Sequence, residues 1–229
     1  WSSDVCSSDL GRDSPVASFV SSVIVLLVVE TTTVNGIRPW CERWSHRVIT
    51  VTTVGRMYDS VEHLPAADHP ELLAATVAGR AAELPSAVVF SIDPEIADTD
   101  ALCEAFGEGP ETCGNCVIVK GKRGDVEKYV ACLALATTRV DVNKVVRKKL
   151  DVRKASFAPM DEAVSLSGME YGGITPVGLP AEWPIWIDPR VAEAQAVCIG
   201  SGLRSSKLIV SGADLVSLPG AEVVEGLAN

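Results

Sequence analysis

Histidine is scarce in this sequence: there are three, at positions 46, 63 and 69, and none follows His69. No G-x-S-x-G nucleophile motif is present either, so the chain beyond His69 does not carry the Ser-His-Asp constellation of a hydrolase. The glycine-rich segment YGGITPVG lacks the G-x-G-x-x-G spacing of a dinucleotide-binding turn and the Lys-Ser/Thr of a P-loop. Any chemistry in this region must therefore proceed without imidazole and without these nucleotide-binding loops.

Long hydrophobic runs are also lacking. The one candidate, VASFVSSVIVLLVV at residues 16–29, has fourteen residues, whereas a membrane-spanning helix needs about 20. Residues 1–15 contain three Asp and one Arg instead of the positive n-region of a signal peptide. We therefore expect no membrane association.

The first ten residues, WSSDVCSSDL, show no hydrophobic periodicity and resemble translated sequencing-adapter sequence. Natural translation is expected to begin at or near Met57. We therefore expect residues 1–56 to be an artefactual or non-functional N-terminal extension and residues 57–229 to form the functional domain.

The seven cysteines are an odd number and do not form the dense framework of a secreted disulfide-rich protein. This usage predicts a reducing, cytoplasmic environment. The C-x-x-C pair Cys113 and Cys116 leads into a strand, whereas a thioredoxin-type pair opens a helix. A zinc site would need Cys103 and Cys132 at irregular spacing. We expect no metal and no organic cofactor.

Positive charge is concentrated in one segment. The whole chain has a net charge of −10, yet residues 120–154 contain eleven Lys or Arg against four Asp or Glu, or +7, which leaves −17 for the rest. Such a distribution predicts local attraction to an anion rather than general binding of DNA. A solvated charged helix face is the alternative interpretation.

Hydrophobic periodicity predicts one α+β domain around a mixed sheet. HPELLAATVAGRAAEL predicts a helix, and NCVIVK and KYVACLALA, joined by GKRGDVE, predict a β-hairpin. DVNKVVRKKL predicts a helix with Asp141 at its N-cap, and PMDEAVSLSG predicts another that Gly168 ends. Short strands and helices alternate from there to the C-terminus.

The segment GMEYGGITPVGLPAEWPIWID, residues 168–188, is rich in glycine and proline but apolar. It therefore predicts a shaped loop rather than a polar linker. Two interpretations stay open: a buried turn, or a loop whose N–H groups face a ligand. An ester between an amino acid and a ribose is already activated, so orientation and a polarised carbonyl are the main requirements for its hydrolysis. A glycine loop beside a basic face could supply both.

Residues 115–226 resemble the YbaK/ProX family, the bacterial aminoacyl-tRNA deacylases related to the editing domain of prolyl-tRNA synthetase. The resemblance is carried by VDVNKVVRKKL, VRKASFAP, DEAVSLSGMEYGGITPVGLP, PIWID, CIGSGLRSSKLIVS and LPGAEVVEG, in that order. It implies a barrel-like, mostly antiparallel mixed sheet with short flanking helices. It also implies hydrolysis, in trans, of the ester of a mischarged tRNA. The implied partners are the aminoacyl-tRNA acceptor end and an aminoacyl-tRNA synthetase.

Carried over residue by residue, the resemblance implies a pocket built by the glycine loop and a following Gly-Ser-Gly turn. The expected catalytic residues are Asn115, Gly172, Gly173, Thr175 and Asp188. The expected substrate-binding residues are Ile174, Pro176, Gly178, Gly200, Ser201, Gly202 and Arg204. The expected tRNA-binding residues are Lys144, Arg147, Lys148 and Lys149. For Asp188 a helix cap, and for Arg204 a surface ion pair, are the competing interpretations.

One position departs from the family pattern. Well-known members have a functional lysine just before the strand that corresponds to VIVK, and Asn115 is the nearest amide here. The alternative to an enzyme is therefore a non-catalytic module that binds a tRNA end or a nucleotide. We expect the methyl group of Gly173→Ala to enter the substrate's space and abolish deacylation at a cost of only about 1 kcal/mol in stability.

Overall fold

The computed structural model describes residues 58–229, so the expectation for residues 1–56 lies outside the described part of the chain. The strands of that part are β1 (Leu64–Pro65), β2 (Val88–Ser91), β3 (Gly114–Arg123), β4 (Val126–Leu135), β5 (Lys154–Phe157), β6 (Ile185–Ile187), β7 (Val197–Gly200), β8 (Ser206–Val210) and β9 (Ala221–Val223). Its α-helices are α1 (Ala75–Ala78), α2 (Thr99–Phe106), α3 (Arg147–Lys149), α4 (Met160–Ser167), α5 (Pro189–Ala192) and α6 (Gly212–Val216).

The strands form two sheets. One has the order β1-β2-β8-β7 and is antiparallel throughout; the other has the order β5-β3-β4-β6-β9, with β6 parallel to both of its neighbours. A parallel bridge between Cys113 and Cys198 joins the start of β3 to β7. The expected α+β domain with mixed, mostly antiparallel sheets and short helices is confirmed.

Most of the predicted elements are present. β3 and β4 pair along their full length from Gly114↔Leu135 to Arg123↔Val126, and the left-handed Gly124 lies in the turn between them. Gly168, with φ of 69°, ends α4. Asp141 accepts a hydrogen bond from the Lys144 N–H at 2.9 Å and so caps a π-helical turn, Val142–Val146, that continues into α3.

The helix predicted for HPELLAATVAGRAAEL is broken into three pieces. A 3-10 turn spans Pro70–Leu72, α1 spans Ala75–Ala78, and a second 3-10 turn spans Ala81–Glu83. Leu73 and Ala74 between them are extended, and the Ala74 N–H donates to the Ser201 carbonyl at 3.1 Å. Tertiary pairing with the turn after β7 therefore overrides a helical sequence pattern, as it often does for short segments.

The main core lies between the two sheets, where Val89, Ala131, Leu133, Ile187 and Leu208 are almost fully buried. A second core covers the opposite face of β3 and β4, under the π-helical turn and α3. The sheets separate on one side, near the Cys113–Cys198 bridge. Within residues 58–229, no helix is long and apolar enough to cross a membrane.

Candidate functional site

A cavity of about 280 Å³ opens where the two sheets separate. Four structural parts line it: the N-terminal turn of α2, the start of β3, the loop between α4 and β6, and the facing ends of β7 and β8. Its lining residues are Ala97, Asp98, Thr99, Leu102, Cys113, Gly114, Asn115, Cys116, Val117, Tyr171, Gly172, Ile174, Cys198, Ile199, Gly200 and Lys207. The lining surface is divided about evenly between polar and apolar groups, and its polar side chains include Asp98, Asn115 and Lys207.

Lys207, on β8, brings a positive charge to this cavity although it is only 7% exposed. Its Nζ donates to the Ala97 carbonyl at 2.6 Å and to the Gly172 carbonyl at 3.3 Å. An ammonium group has three N–H donors, so one remains for the cavity. Burial lowers the pKa of Lys207 below its ordinary value, and nearby Cys198 and Cys113 partly oppose that shift.

The glycine loop forms the opposite wall through Tyr171, Gly172 and Ile174. Gly172 has φ of 81°, which an L side chain rarely adopts. Within the described residues no backbone hydrogen bond uses the N–H of Gly172 or of Ile174. These two amides, like that of Tyr171, are therefore available to a ligand.

The rim of the cavity carries an amide and a carboxylate. The Thr99 hydroxyl donates to the Asn115 Oδ1 at 3.0 Å and so ties α2 to the start of β3. Asp98 lies beside them with a side chain that is 70% exposed, 3.9 Å from an Arg204 guanidinium nitrogen. The rim therefore offers a negative charge to a cationic group of a ligand, while Lys207 lies at the buried end.

Three thiols also line the cavity, those of Cys113, Cys116 and Cys198. The Cys113 Sγ lies 3.2 Å from the Tyr58 hydroxyl and 3.8 Å from the Cys103 Sγ. The hydrogen bond from Cys198 lowers the pKa of Cys113 to about 6, and bonds from Tyr58 and others add to that effect against the opposing influence of burial. All five cysteines in the described residues are free thiols, and no group of three or more ligating side chains there is placed to hold a metal ion.

The sequence model of the aminoacyl-tRNA editing domain family matches residues 93–218, more than half of the chain. The chain belongs to this family. The resemblance stated from the sequence is thereby confirmed. The matched range contains the cavity and every residue that lines it.

Two solved structures share the fold of this editing domain. One is a hypothetical protein, 19% identical, with a TM-score of 0.58 over 66% of this chain and 97% of that chain. The other is a proposed trans-editing enzyme for prolyl-tRNA synthetase, 18% identical, with a TM-score of 0.54 over 70% of this chain and 96% of that chain. At these identities the likeness shows the fold alone.

Four of the residues predicted for the site line the editing-domain cavity: Asn115, Gly172, Ile174 and Gly200. Lys207, Asp98, Thr99 and Tyr171 also line it and were missed. A signal for Lys207 exists in the sequence, because its charge directly precedes the apolar run LIV in a strand that the structure buries throughout. The other three could not be placed, since only the folded chain brings α2 beside β3.

The structure gives Gly173 a packing role, and its predicted catalytic role stays a prediction. Its N–H donates to the Glu170 carbonyl at 3.0 Å, and its carbonyl accepts from the Gly202 N–H at 2.8 Å. A Cβ at Gly173 would lie 2.6 Å from the Leu203 carbonyl oxygen, away from the cavity lining. Gly173 therefore allows the glycine loop to pack against the turn after β7, with no donor left for a substrate.

Five other predicted residues pack between the glycine loop and the turn after β7, lie in the core, or line a different cavity. Thr175 is completely buried, and Ser201, also buried, bonds its hydroxyl to Ser206 at 2.7 Å. A Cβ at Gly202 would meet the side chain of Ala74. Pro176 and Gly178 line a different cavity, beside Thr76 and Trp183. None of the five lines the cavity that holds Lys207, so their predicted substrate contacts are not supported by their positions.

Asp188 is a helix cap, which was the competing interpretation from the sequence. It is 1% exposed, and it accepts from the Arg190 N–H at 3.0 Å and from the Arg190 Nε at 2.7 Å at the start of α5. Burial raises the pKa of Asp188, but the bonds from Arg190 outweigh burial and leave the pKa below its ordinary value. Asp188 lies outside the cavity lining, so its position does not support the predicted catalytic role.

We expect Asp188→Asn to lower the free energy of unfolding by about 1.5 kcal/mol at pH 7, because a charged acceptor of three Arg190 bonds is lost. A carboxylate whose pKa is depressed by folding stabilises above its unfolded pKa, near 3.9, and that contribution is lost as the pH falls through the folded pKa. Urea unfolding of both proteins at pH 7 and pH 3 checks this. A difference that does not shrink in acid would contradict it.

Arg204 positions the wall of the cavity without lining it. Its guanidinium donates to the Tyr171 carbonyl at 3.1 Å and to the Pro94 carbonyl at 3.0 Å. It therefore fastens the glycine loop to the turn that precedes α2. The surface-pair interpretation was incomplete, because its two hydrogen bonds to backbone carbonyls are closer than Asp98.

The four basic residues predicted to contact tRNA differ in their partners. Lys149 pairs with Glu222 at 2.7 Å and lies over the ring of Trp186. Arg147 lines a second cavity, at the edge of β5. Lys144 and Lys148 are exposed, and the structure gives neither an ion pair within residues 58–229. Their contact with tRNA stays a prediction.

Proposed function

We propose that this editing domain hydrolyses, in trans, the ester of a mischarged aminoacyl-tRNA and so acts in translation quality control. The observation that carries the proposal is the Lys207 ammonium in the cavity, beside loop amides that no hydrogen bond within residues 58–229 uses. An ammonium and backbone N–H groups around one small cavity suit an oxygen that becomes negative during acyl transfer. Family membership supports the tRNA ester as the substrate.

The rim would orient the substrate. An aminoacyl ester carries a free α-ammonium, and the Asp98 carboxylate at the rim is a suitable partner for it. Asn115 has an amide that can bond to a ribose hydroxyl while its Oδ1 keeps the bond from Thr99. The acceptor-end adenosine would then enter from the open side, with the ester carbonyl nearest Lys207.

Water supplies the acyl acceptor in this scheme. Attack of water on the ester carbonyl forms a tetrahedral oxyanion, which Lys207 and the loop amides would stabilise. Collapse breaks the bond to the ribose oxygen, which takes the proton that the attacking water lost, and releases the free amino acid and the deacylated tRNA. The ester is activated, so orientation and charge stabilisation can supply much of the rate without a histidine base.

We propose that Lys207 takes the place of the family lysine that is missing near Asn115. The position before β3 carries no lysine, but β8 brings an ammonium to the same cavity from the facing sheet. The alternative, a module that binds a tRNA end or a nucleotide without hydrolysing it, is favoured by Asn115 alone. The acceptor end of tRNA is the proposed partner under both functions, and an aminoacyl-tRNA synthetase is proposed as a second partner of the enzyme.

A deacylation assay tests the choice. A panel of tRNAs, each charged with a cognate or a near-cognate amino acid, is incubated with the protein, and loss of the labelled ester is followed against the rate without protein. We expect acceleration for at least one mischarged tRNA. Saturable binding of tRNA with no acceleration for any member of the panel would favour the binding module.

A further inference from the structure

We propose that the RNA strand leading to the cavity lies along the edge of β5, with its phosphates in a basic cleft and one base on Phe157. The basic cleft is defined by Lys122, Arg147, Arg153 and Lys154. The inference rests on the proposed function for the identity of the ligand, and it names the surface that holds the nucleotides before the terminal adenosine.

The basic cleft has a volume of about 520 Å³, and no acidic residue lines it. Arg147, Arg153 and Lys154 are exposed, and none has an ion pair within residues 58–229. Lys122 has one weak partner, Glu127, at 3.7 Å. A cleft with unpaired cations of this kind, in a chain with net charge −10, favours a polyanion over a protein or a neutral ligand.

An apolar cleft connects the basic cleft to the candidate active site. This second depression, of about 380 Å³, shares Asn115 and Val117 with the active-site cavity and includes Phe157. Phe157 directly follows Ser156, which lines the basic cleft, and its ring is 57% exposed. Exposed aromatic rings in nucleic-acid-binding grooves serve as surfaces on which bases stack.

The spacing of the three depressions suits a strand of RNA. β5 pairs with β3 so that Lys154 lies opposite Lys122 and Phe157 lies opposite Val119. From Val117, in the active-site cavity, to Lys122, in the basic cleft, is five residues of β3, or about 17 Å. Phosphate binding at one end and a stacked base in the middle would thus deliver the terminal nucleotide to the cavity.

Two matched double variants test the basic cleft. Arg153→Gln with Lys154→Gln removes two cations from it, while Lys144→Gln with Lys148→Gln removes two exposed cations that lie outside it. The probe is an uncharged RNA hairpin that ends in single-stranded CCA, and its affinity is measured from 50 to 200 mM salt. We expect the cleft variant to bind about tenfold more weakly at 50 mM and to lose about one unit of salt slope per cation. The control should retain the parent's slope.

Phe157→Ala tests the stacked base. We expect it to weaken binding of the CCA hairpin by about tenfold and to leave binding of a blunt hairpin unchanged. Met160→Ala, which removes another exposed apolar side chain, serves as the control. Equal losses on both hairpins, or none, would overturn the assignment of Phe157. Melting temperatures of all variants confirm that the surface substitutions leave the fold intact.

These outcomes are independent of hydrolysis, because the probe carries no amino acid. Equal slopes for the cleft and control variants would overturn the basic cleft even if the parent protein deacylates tRNA. Binding that depends on the cleft, in a protein that hydrolyses no charged tRNA, would instead defeat the proposed reaction and leave the RNA path standing.

Discussion

Lys207→Met should reduce kcat/KM for deacylation by about 100-fold to 1000-fold while the protein remains folded. The expected loss follows from removing the one ammonium donor that lies inside the cavity, since a single preorganised donor to an oxyanion is typically worth about that factor. The melting temperature should change by only a few degrees. Methionine has a similar length, and the desolvation cost of the buried ammonium disappears along with its bonds to Ala97 and Gly172.

Lys144→Met is the matched control, because it makes the same chemical change at an exposed position outside every cavity described above. It should retain the parent's kcat/KM with a minimal substrate such as an aminoacyl-adenosine. If Lys207→Met retained activity within about threefold of the parent, Lys207 would serve only to fasten β8 to the glycine loop. If Lys207→Met does not fold, the same assay is made with Lys207→Gln, which keeps a hydrogen-bond donor but carries no charge.

The pH dependence of the parent and of Lys207→Met distinguishes a role of the Lys207 charge from a role of its packing. Burial lowers the pKa of Lys207, so the ammonium is lost at a pH below the ordinary value of about 10.4. The ratio of parent to Lys207→Met activity should be constant near neutral pH and should fall as the pH rises through that lowered pKa. Spontaneous ester hydrolysis is subtracted at each pH. A ratio independent of pH would contradict a role for the charged form.

The sequence could predict the elements and the family, but it could predict only part of the site. The β3–β4 hairpin and α4 follow from alternation, turn residues and a glycine stop that act over a few positions. Lys207 lies 35 residues beyond Gly172 of the glycine loop, and its importance depends on β8 lining the same cavity as β3. That relation comes from the pairing of β8 between β2 and β7, which no local pattern specifies.

The glycine loop shows a different limit. Its composition predicted a shaped backbone, and Gly172 does have a left-handed φ. Composition could not distinguish an N–H that faces a ligand from one that bonds to another loop. Gly173 and Gly200 are needed because two main chains pass close together: a Cβ at Gly200 would collide with the Gly173 carbonyl. The turn interpretation thus describes Gly173, while a ligand contact at the Gly172 N–H stays a prediction.

Gly173→Ala should therefore lower the free energy of unfolding by about 3 kcal/mol, because the new methyl group would lie within 2.8 Å of three backbone atoms of Leu203. For a domain of this size, that corresponds to a melting temperature roughly 6–12 °C below the parent's. Backbone atoms cannot rotate away as a flexible side chain can, so the glycine loop and the turn after β7 must move apart. Their bond from the Gly202 N–H to the Gly173 carbonyl is then strained or lost.

Gly107→Ala provides the comparison, since Gly107 has φ of 69° but nothing within 4 Å of an added Cβ. That variant should cost only about 1–2 kcal/mol, the price of a left-handed alanine. Thermal melts and deacylation are measured on the same preparations of both variants and the parent. We expect Gly173→Ala to be less stable than Gly107→Ala. Its melting temperature should fall, and not only its rate of deacylation. A Gly173→Ala protein that melts within about 2 °C of the parent but hydrolyses no ester would instead place the methyl group in the substrate's space.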